Sequence, residues 1–186
     1  MPTFGLIVEG EYDAAALIEL VRRCTAGNIE VIPRQCAQKG SLMKRFAAYL
    51  RELQWANQGQ AVDKALVIRD ADGKNPQELI ARMETSIISR SYPFPVKFVV
   101  IVQELEAWLL ADHEALSQVT QKRISAINCP LESIIDPKRR LQMRLSEAGI
   151  AYTAEVARKI AAAANLETIE YRCSSFGTFR QAVHDC

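Results

Sequence analysis

Four short, largely apolar runs mark the first hundred residues, and each is followed by a stretch of helical periodicity. Residues 3–8 (TFGLIV), 29–32, 65–69 (ALVIR) and 96–102 (VKFVVIV) are these runs. A strand that is apolar on both faces belongs in a parallel sheet covered on both sides. Between them, residues 12–23 put Ala16, Leu17, Leu20 and Val21 on one stripe of an amphipathic helix. Gly27-Asn28 breaks that helix before the second strand. After Lys39-Gly40, Ser41 is expected to cap a helix carrying Leu42, Phe46, Tyr49, Leu50 and Leu53. Asn75-Pro76-Gln77-Glu78 reads as a helix start, with Asn at the N-cap, Pro at the first helical position and Glu at the third. That helix is expected to run to about Ser89. Strand and helix alternating in this way predict an α/β fold, a parallel sheet of about four strands flanked by helices.

Beyond Trp108 the pattern changes. Residues 113–186 are rich in Ala and helical spacing, with no strand-like run. Asp136-Pro137 should open a helix bearing Leu141, Leu145 and Ala148, closed by Gly149. Thr153 should cap another with Val156, Ile160 and Ala164 on its apolar side. The expected organisation is an α/β part over residues 1–112 and a helical C-terminal extension over 113–186 packed on it. Trp108 is the natural packing anchor between them. No internal repeat or low-complexity linker separates the two.

Bulk composition narrows the chemistry. With 186 residues, 49% of them apolar, the chain is long enough to bury a real core. Its formal charge of +1 carries no global basic signature, so a nucleic-acid substrate would need a local basic patch or a metal to hold its phosphates. Five scattered cysteines, with no Cys-x-x-Cys pair, argue against a disulfide framework or a zinc site and for a reducing cytoplasm. The start MPTFGLIVEG lacks the basic and long apolar regions of a signal peptide. No apolar run approaches the roughly 20 residues that span a bilayer, so no membrane association is expected.

Chemistry concentrates where strands should end. Glu9-Gly10 follows the first strand and Asp70-Ala71-Asp72 the third. Ligands of open α/β sheets bind at the carboxyl ends of the strands. Residues i and i+2 of an extended segment face the same way, so Asp70 and Asp72 can address one crevice. Glu9 would join them if the two strands are neighbours. Such an all-oxygen set suits a hard divalent cation, Mg²⁺ or Mn²⁺. Each motif also has a plainer reading. Asp72-Gly73 is an ordinary turn pair, and Glu9, Glu11 and Asp13 sit where a helix N-terminus favours negative charge.

Val8-Glu9-Gly10-x-x-Asp13, followed by a strand and Asp70-x-Asp72, resembles the toprim fold of topoisomerases, primases, RNA-maturation nucleases and OLD-type nucleases. Glu104-Leu105-Glu106-Ala107-Trp108-Leu109-Leu110-Ala111-Asp112 and Ser174-Ser175-Phe176-x-x-Phe179 resemble the toprim-like domain-of-unknown-function family 4276. This is a prokaryotic family often linked with ATPases in phage-defence contexts. The resemblance spans nearly the whole chain. It implies that Glu9 is a general acid/base or metal ligand and that Asp70 and Asp72 coordinate Mg²⁺. Topoisomerase-like members extend the pair to a third aspartate, where this chain has Lys74. The resemblance therefore offers Glu104 as the further ligand, with Glu106 competing and Asp13 as an additional candidate.

Lys39 and Lys74 are candidate phosphate contacts, with solvated surface lysines as the plainer reading. The expected function is Mg²⁺- or Mn²⁺-dependent hydrolysis of phosphodiester bonds in DNA or RNA. The chain has no room for a topoisomerase's tyrosine-bearing domain or a primase's zinc module. The alternative is a non-catalytic, metal-binding partner or regulatory subunit of an ATPase.

Other motifs point elsewhere with less force. Asp70-x-Asp72-Gly73 resembles a haloacid-dehalogenase loop, but that loop ends the first strand and carries a Thr. An EF-hand needs more oxygen ligands and a Glu at its twelfth position. His113 and His184 have no Ser or Cys partner at a recognisable spacing. Lys138-Arg139-Arg140, with Arg144 one turn on, forms a small basic helix face, either solvated or gripping a nucleic-acid backbone.

Overall fold

The computed structural model describes residues 1–36 and 40–185. Its centre is a four-stranded, all-parallel sheet of β1 (Thr3–Val8), β2 (Glu30–Gln35), β3 (Lys64–Asp70) and β4 (Val96–Ile101), in the order β2-β1-β3-β4. The α/β architecture, the flanking helices and the helical C-terminus follow the sequence pattern. The second strand runs three residues past the expected Ile32, through Pro33. An edge strand tolerates a residue without an N–H, because one of its sides pairs with nothing, and β2 is at the edge.

Three helices connect the strands: α1 (Glu11–Cys24), α2 (Leu42–Glu52) and α3 (Pro76–Ile87). The Asn75 side chain accepts the N–H groups of Gln77 and Glu78, which fixes the start of α3 as its sequence predicts. Ser41 stands at the N-cap of α2 but makes no side-chain capping bond there. After β4 come α4 (Glu106–Leu109), α5 (His113–Thr120), α6 (Pro137–Glu147), α7 (Ala154–Ala163), α8 (Leu166–Arg172) and α9 (Ser174–His184). Asp136 accepts the Arg139 N–H and Thr153 Oγ1 accepts the Val156 N–H, so both expected caps form. Gly149 takes a φ of 79°, the left-handed value that ends α6 without a Cβ clash.

Alternate strand residues divide between two cores. Leu6, Val8, Leu66, Ile68, Val99 and Ile101 face a large core shared with α1 and the C-terminal helices. Ile7, Ala65, Val67 and Val100 face a smaller one beneath α2 and α3. The first core joins the sheet to the helical C-terminus through Trp108, which is fully buried. Its ring meets Phe176 and Phe179 at centroid distances of 5.1 and 5.3 Å, and its Nε1 donates to Ser175 Oγ at 2.9 Å. Among the described residues no helix is long and apolar enough to cross a membrane.

Candidate functional site

β1 and β3 are neighbours, so the residues that follow them are brought together. A cavity of about 550 Å³ opens at the carboxyl ends of the strands, lined by six carboxylates (Glu9, Glu11, Asp13, Asp70, Glu104 and Glu106) and one lysine, Lys138. Parallel strands all point their carboxyl ends the same way, which is why residues distant in sequence meet here.

Glu9 leaves the end of β1 with only 9% of its surface exposed. Its Oε1 lies 3.7 Å from the Arg69 guanidinium and makes no hydrogen bond among the described residues. A buried carboxylate oxygen without a donor is costly, and this one lines the cavity. Arg69, itself buried, donates from Nε to the Asp70 carbonyl at 3.1 Å. Asp13, in the first turn of α1, accepts the Gly10 N–H at 3.0 Å and also lines the cavity. Asp13 thus stands at a helix start and on the cavity at once. Burial, with the nearby Glu106 charge, raises its pKa from 3.8 to about 7.

Asp70 closes β3. Its Oδ1 accepts the Leu105 N–H at 3.0 Å, which pins the segment after β4 against the site. Burial is the main cause that raises the Asp70 pKa well above the ordinary carboxylate range, followed by the charges of Asp13, Glu106, Asp72 and Glu104. Glu104 Oε2 accepts the backbone N–H of Lys138 at 3.0 Å, in the first turn of α6. Glu106 opens α4, and its Oε1 accepts from Tyr152 Oη at 3.0 Å and lies 3.8 Å from Lys138 Nζ. Burial raises its pKa too, against the lowering effect of Lys138. Strand has given way to helix at Glu106, yet both glutamates face the same cavity. Lys138 Nζ also sits 4.8 Å from the centroid of the Tyr12 ring, which packs on Tyr152 at 5.1 Å.

The sequence-derived residues thus separate. Glu9, Asp13, Asp70, Glu104 and Glu106 line the cavity; Asp72 and Lys74 do not. The i, i+2 expectation for Asp70 and Asp72 fails because extended geometry stops at Asp70. Asp72 has a left-handed φ of 47°, its N–H donates to the Gln103 carbonyl, and it is exposed. Lys74 is exposed beyond the same turn. Lys39 lies outside the described residues.

Tyr12 and Tyr152 join the site without a local sequence signal, and Lys138 is marked in the sequence only as part of a small basic helix face. Glu104 and Lys138 are 34 positions apart and Glu106 and Tyr152 are 46 apart. Arg69 did carry one, since a charged residue inside a buried strand needs a partner.

The donor set is all oxygen and strongly acidic, the chemistry that suits a hard cation. Among the described residues, no group of three or more His, Cys, Asp or Glu side chains is arranged to hold a metal ion. A small cation such as Mg²⁺ needs only one or two protein carboxylates, with water and substrate oxygens completing its octahedron. The lining fits that arrangement: Glu9 offers a buried oxygen without a hydrogen-bond donor among the described residues, and burial together with neighbouring carboxylate charge raises the pKa of Asp13 and of Asp70.

A family model matches residues 8–184, and the chain belongs to that family, a domain of unknown function (DUF4276). No curated protein and no solved structure matches the chain.

Proposed function

We propose that the chain is a Mg²⁺- or Mn²⁺-dependent phosphodiesterase acting on nucleic acid. The observation that carries this reading is the gathering of Glu9, Asp13, Asp70, Glu104 and Glu106 around one cavity at the carboxyl ends of parallel strands. The resemblance of the Glu9 and Asp70 motifs to the toprim nucleases supports it. So does the cavity's excess of carboxylates, which calls for a cationic partner.

In this reading Asp70 and Glu104 would hold the cation, whose chemistry would be to polarise a phosphoryl oxygen and lower the pKa of a water. Asp72 stands one turn away as a contributor to the negative field. Glu9, buried beside Arg69, takes the proton from the attacking water as the water oxygen bonds to phosphorus, and returns it to the leaving alkoxide as the P–O ester bond breaks. Lys138, the lysine on the cavity, offsets charge on the phosphate and orients Glu106, whose second partner is Tyr152. The lowered polarity around the carboxylates strengthens each of these interactions.

The test is a cleavage panel of single-stranded DNA, double-stranded DNA and RNA with each metal. Wild-type cleavage that Glu9→Gln and Asp70→Asn both abolish, with the fold retained by circular dichroism, is the expected result. Undiminished cleavage in both variants removes the mechanism. Calorimetric Mn²⁺ binding with no cleavage of any substrate, even beside a partner ATPase, would favour a non-catalytic metal-binding subunit instead.

A further inference from the structure

All four strands end at the acidic cavity, and charge is spread unevenly along them. Glu9, Glu11 and Asp13 follow β1, Asp70 closes β3, and Glu104 and Glu106 follow β4. The end of β2 contributes Gln35 and Cys36, and α2 contributes Tyr49. Among the described residues, that wall carries no charged side chain. β2 is the edge strand beside β1, with β3 and β4 beyond, so the wall and Glu104 stand at opposite ends of the cavity. Two strand spacings, about 10 Å in all, separate the wall from Asp70.

The wall's side chains offer a ligand distinct groups. Tyr49 Oη donates to the Gln35 carbonyl at 3.2 Å. Its only O–H is thereby spent, and the bond holds the phenol beside the strand end, so what Tyr49 offers is its ring. Gln35 is exposed, and its side-chain amide has no hydrogen-bond partner among the described residues. Cys36 adds a buried, uncharged surface. An aromatic ring beside an amide that can both donate and accept suits a neutral, planar heteroaromatic group, stacked on the one and bonded at its edge by the other. A phosphate gains nothing from such a wall.

We infer that Gln35 and Tyr49 form a nucleobase subsite, in which the base next to the phosphate at Asp70 stacks on Tyr49 and hydrogen-bonds to the Gln35 amide. This inference rests on the phosphodiesterase reading of the cavity, and it narrows the substrate from any phosphodiester to a nucleotide chain. Every base has a face to stack and an edge that an amide can meet, so the subsite selects for the presence of a base rather than its identity. At about 550 Å³ the cavity has the size that encloses one small ligand. A base must therefore leave its stack to enter, which single-stranded substrate permits at least cost.

The experiment compares calorimetric binding of adenosine 5′-monophosphate, uridine 5′-monophosphate and ribose 5-phosphate to the full chain in Mn²⁺. These monoesters share a phosphate and a ribose, and only the first two carry a base. The wild type is expected to bind both nucleotides about tenfold more tightly than ribose 5-phosphate, as one base–aromatic stack gives. Tyr49→Ala should bring all three affinities together, Tyr49→Phe should keep the preference, and Gln35→Ala should weaken nucleotide binding by about fivefold. Circular dichroism checks that each variant is folded. Equal affinity for the three ligands in the wild type, or binding of none, would overturn the subsite. So would a preference that survives Tyr49→Ala or is lost equally in Tyr49→Phe, and unchanged affinities in Gln35→Ala would remove the amide contact. Hydrolysis of bis-p-nitrophenyl phosphate by the wild type with Mn²⁺ reports separately on the acidic end of the cavity. If that fails while the nucleotide preference is found, the catalytic reading falls and the subsite stands; hydrolysis without the preference has the opposite meaning.

Discussion

Glu104 Oε2 accepts the backbone N–H of Lys138 at 3.0 Å. This bond joins the segment after β4 to the first turn of α6, and it delivers the lysine side chain to a cavity whose other charged lining residues are all acids. A carboxylate at a helix N-terminus also meets the favourable end of the helix dipole. The same glutamate thus anchors the helical C-terminus and belongs to the site.

That double role gives a stability prediction. Glu104→Ala should lower the unfolding free energy by about 1–3 kcal/mol, the usual cost of stripping a partner from a charge-assisted bond that is partly buried. Glu104→Gln keeps an acceptor and should lose less than half as much. Urea denaturation of both variants measures the difference, and equal losses would show that the bond to Lys138 anchors nothing.

Asp70 separates stability from cation binding. Asp70→Asn retains an oxygen for the Leu105 N–H while removing a charge that burial and four neighbouring carboxylates oppose. In EDTA at pH 8 the variant should melt at or above the wild-type temperature. The proposed cation site predicts that Mn²⁺ raises the melting temperature of the wild type, as a ligand that binds only the folded state does, and that this rise disappears in the variant. A variant that is still stabilised by Mn²⁺ to the wild-type extent would exclude Asp70 from the cation site.

The metal-free protein should be less stable in mild alkali than in mild acid. Asp13 titrates at about 7 in the folded protein, against 3.8 for an ordinary aspartate such as the unfolded chain presents. Between those values the folded state binds the extra proton. Its stabilising contribution is complete below about pH 4 and is lost as pH rises through about 7. At about 1.4 kcal/mol per pKa unit the loss is at most about 4 kcal/mol. Urea titrations in EDTA at several pH values should show this fall, and Asp13→Asn should flatten it. Parallel wild-type and variant profiles would rule Asp13 out as its source.

Trp108 carries the join between sheet and helices. Trp108→Ala should cost about 3–5 kcal/mol, as large core truncations do. Trp108→Phe, which loses only part of the volume and the bond to Ser175 Oγ, should cost clearly less. Thermal melts of the two variants distinguish a packing anchor from a surface residue; near-wild-type stability in both would contradict the burial.

Local patterns carried most of the architecture. Apolar runs identified β1, β3 and β4, because a strand covered on both faces has little polar side to show, whereas β2, with Glu30, Pro33 and Gln35 exposed, was placed by the Gly27-Asn28 break before it. Asn75, Asp136 and Thr153 identified helix starts, since a cap bonds N–H groups only two or three residues away. Glu9 and Asp70 were visible for a related reason: each directly follows or ends a strand, and strand ends are where such sheets bind.

What required the folded chain was everything set by distance in space. Asp72 sits in a left-handed turn whose φ no alternation rule encodes. Lys138 reads in sequence as one of three consecutive basic residues, and only the 34-residue closure onto Glu104 brings it to the cavity. Tyr152 reaches Glu106 across 46 residues in the same way. The raised pKa values of Asp13 and Asp70 arise from burial and mutual repulsion, which exist only once the carboxylates are packed together. The sequence by itself determined the elements and the acids at their ends, because those depend on neighbours along the chain. Tertiary structure alone decided which acids share a cavity and which base joins them, because electrostatic interaction depends on separation in space rather than along the chain.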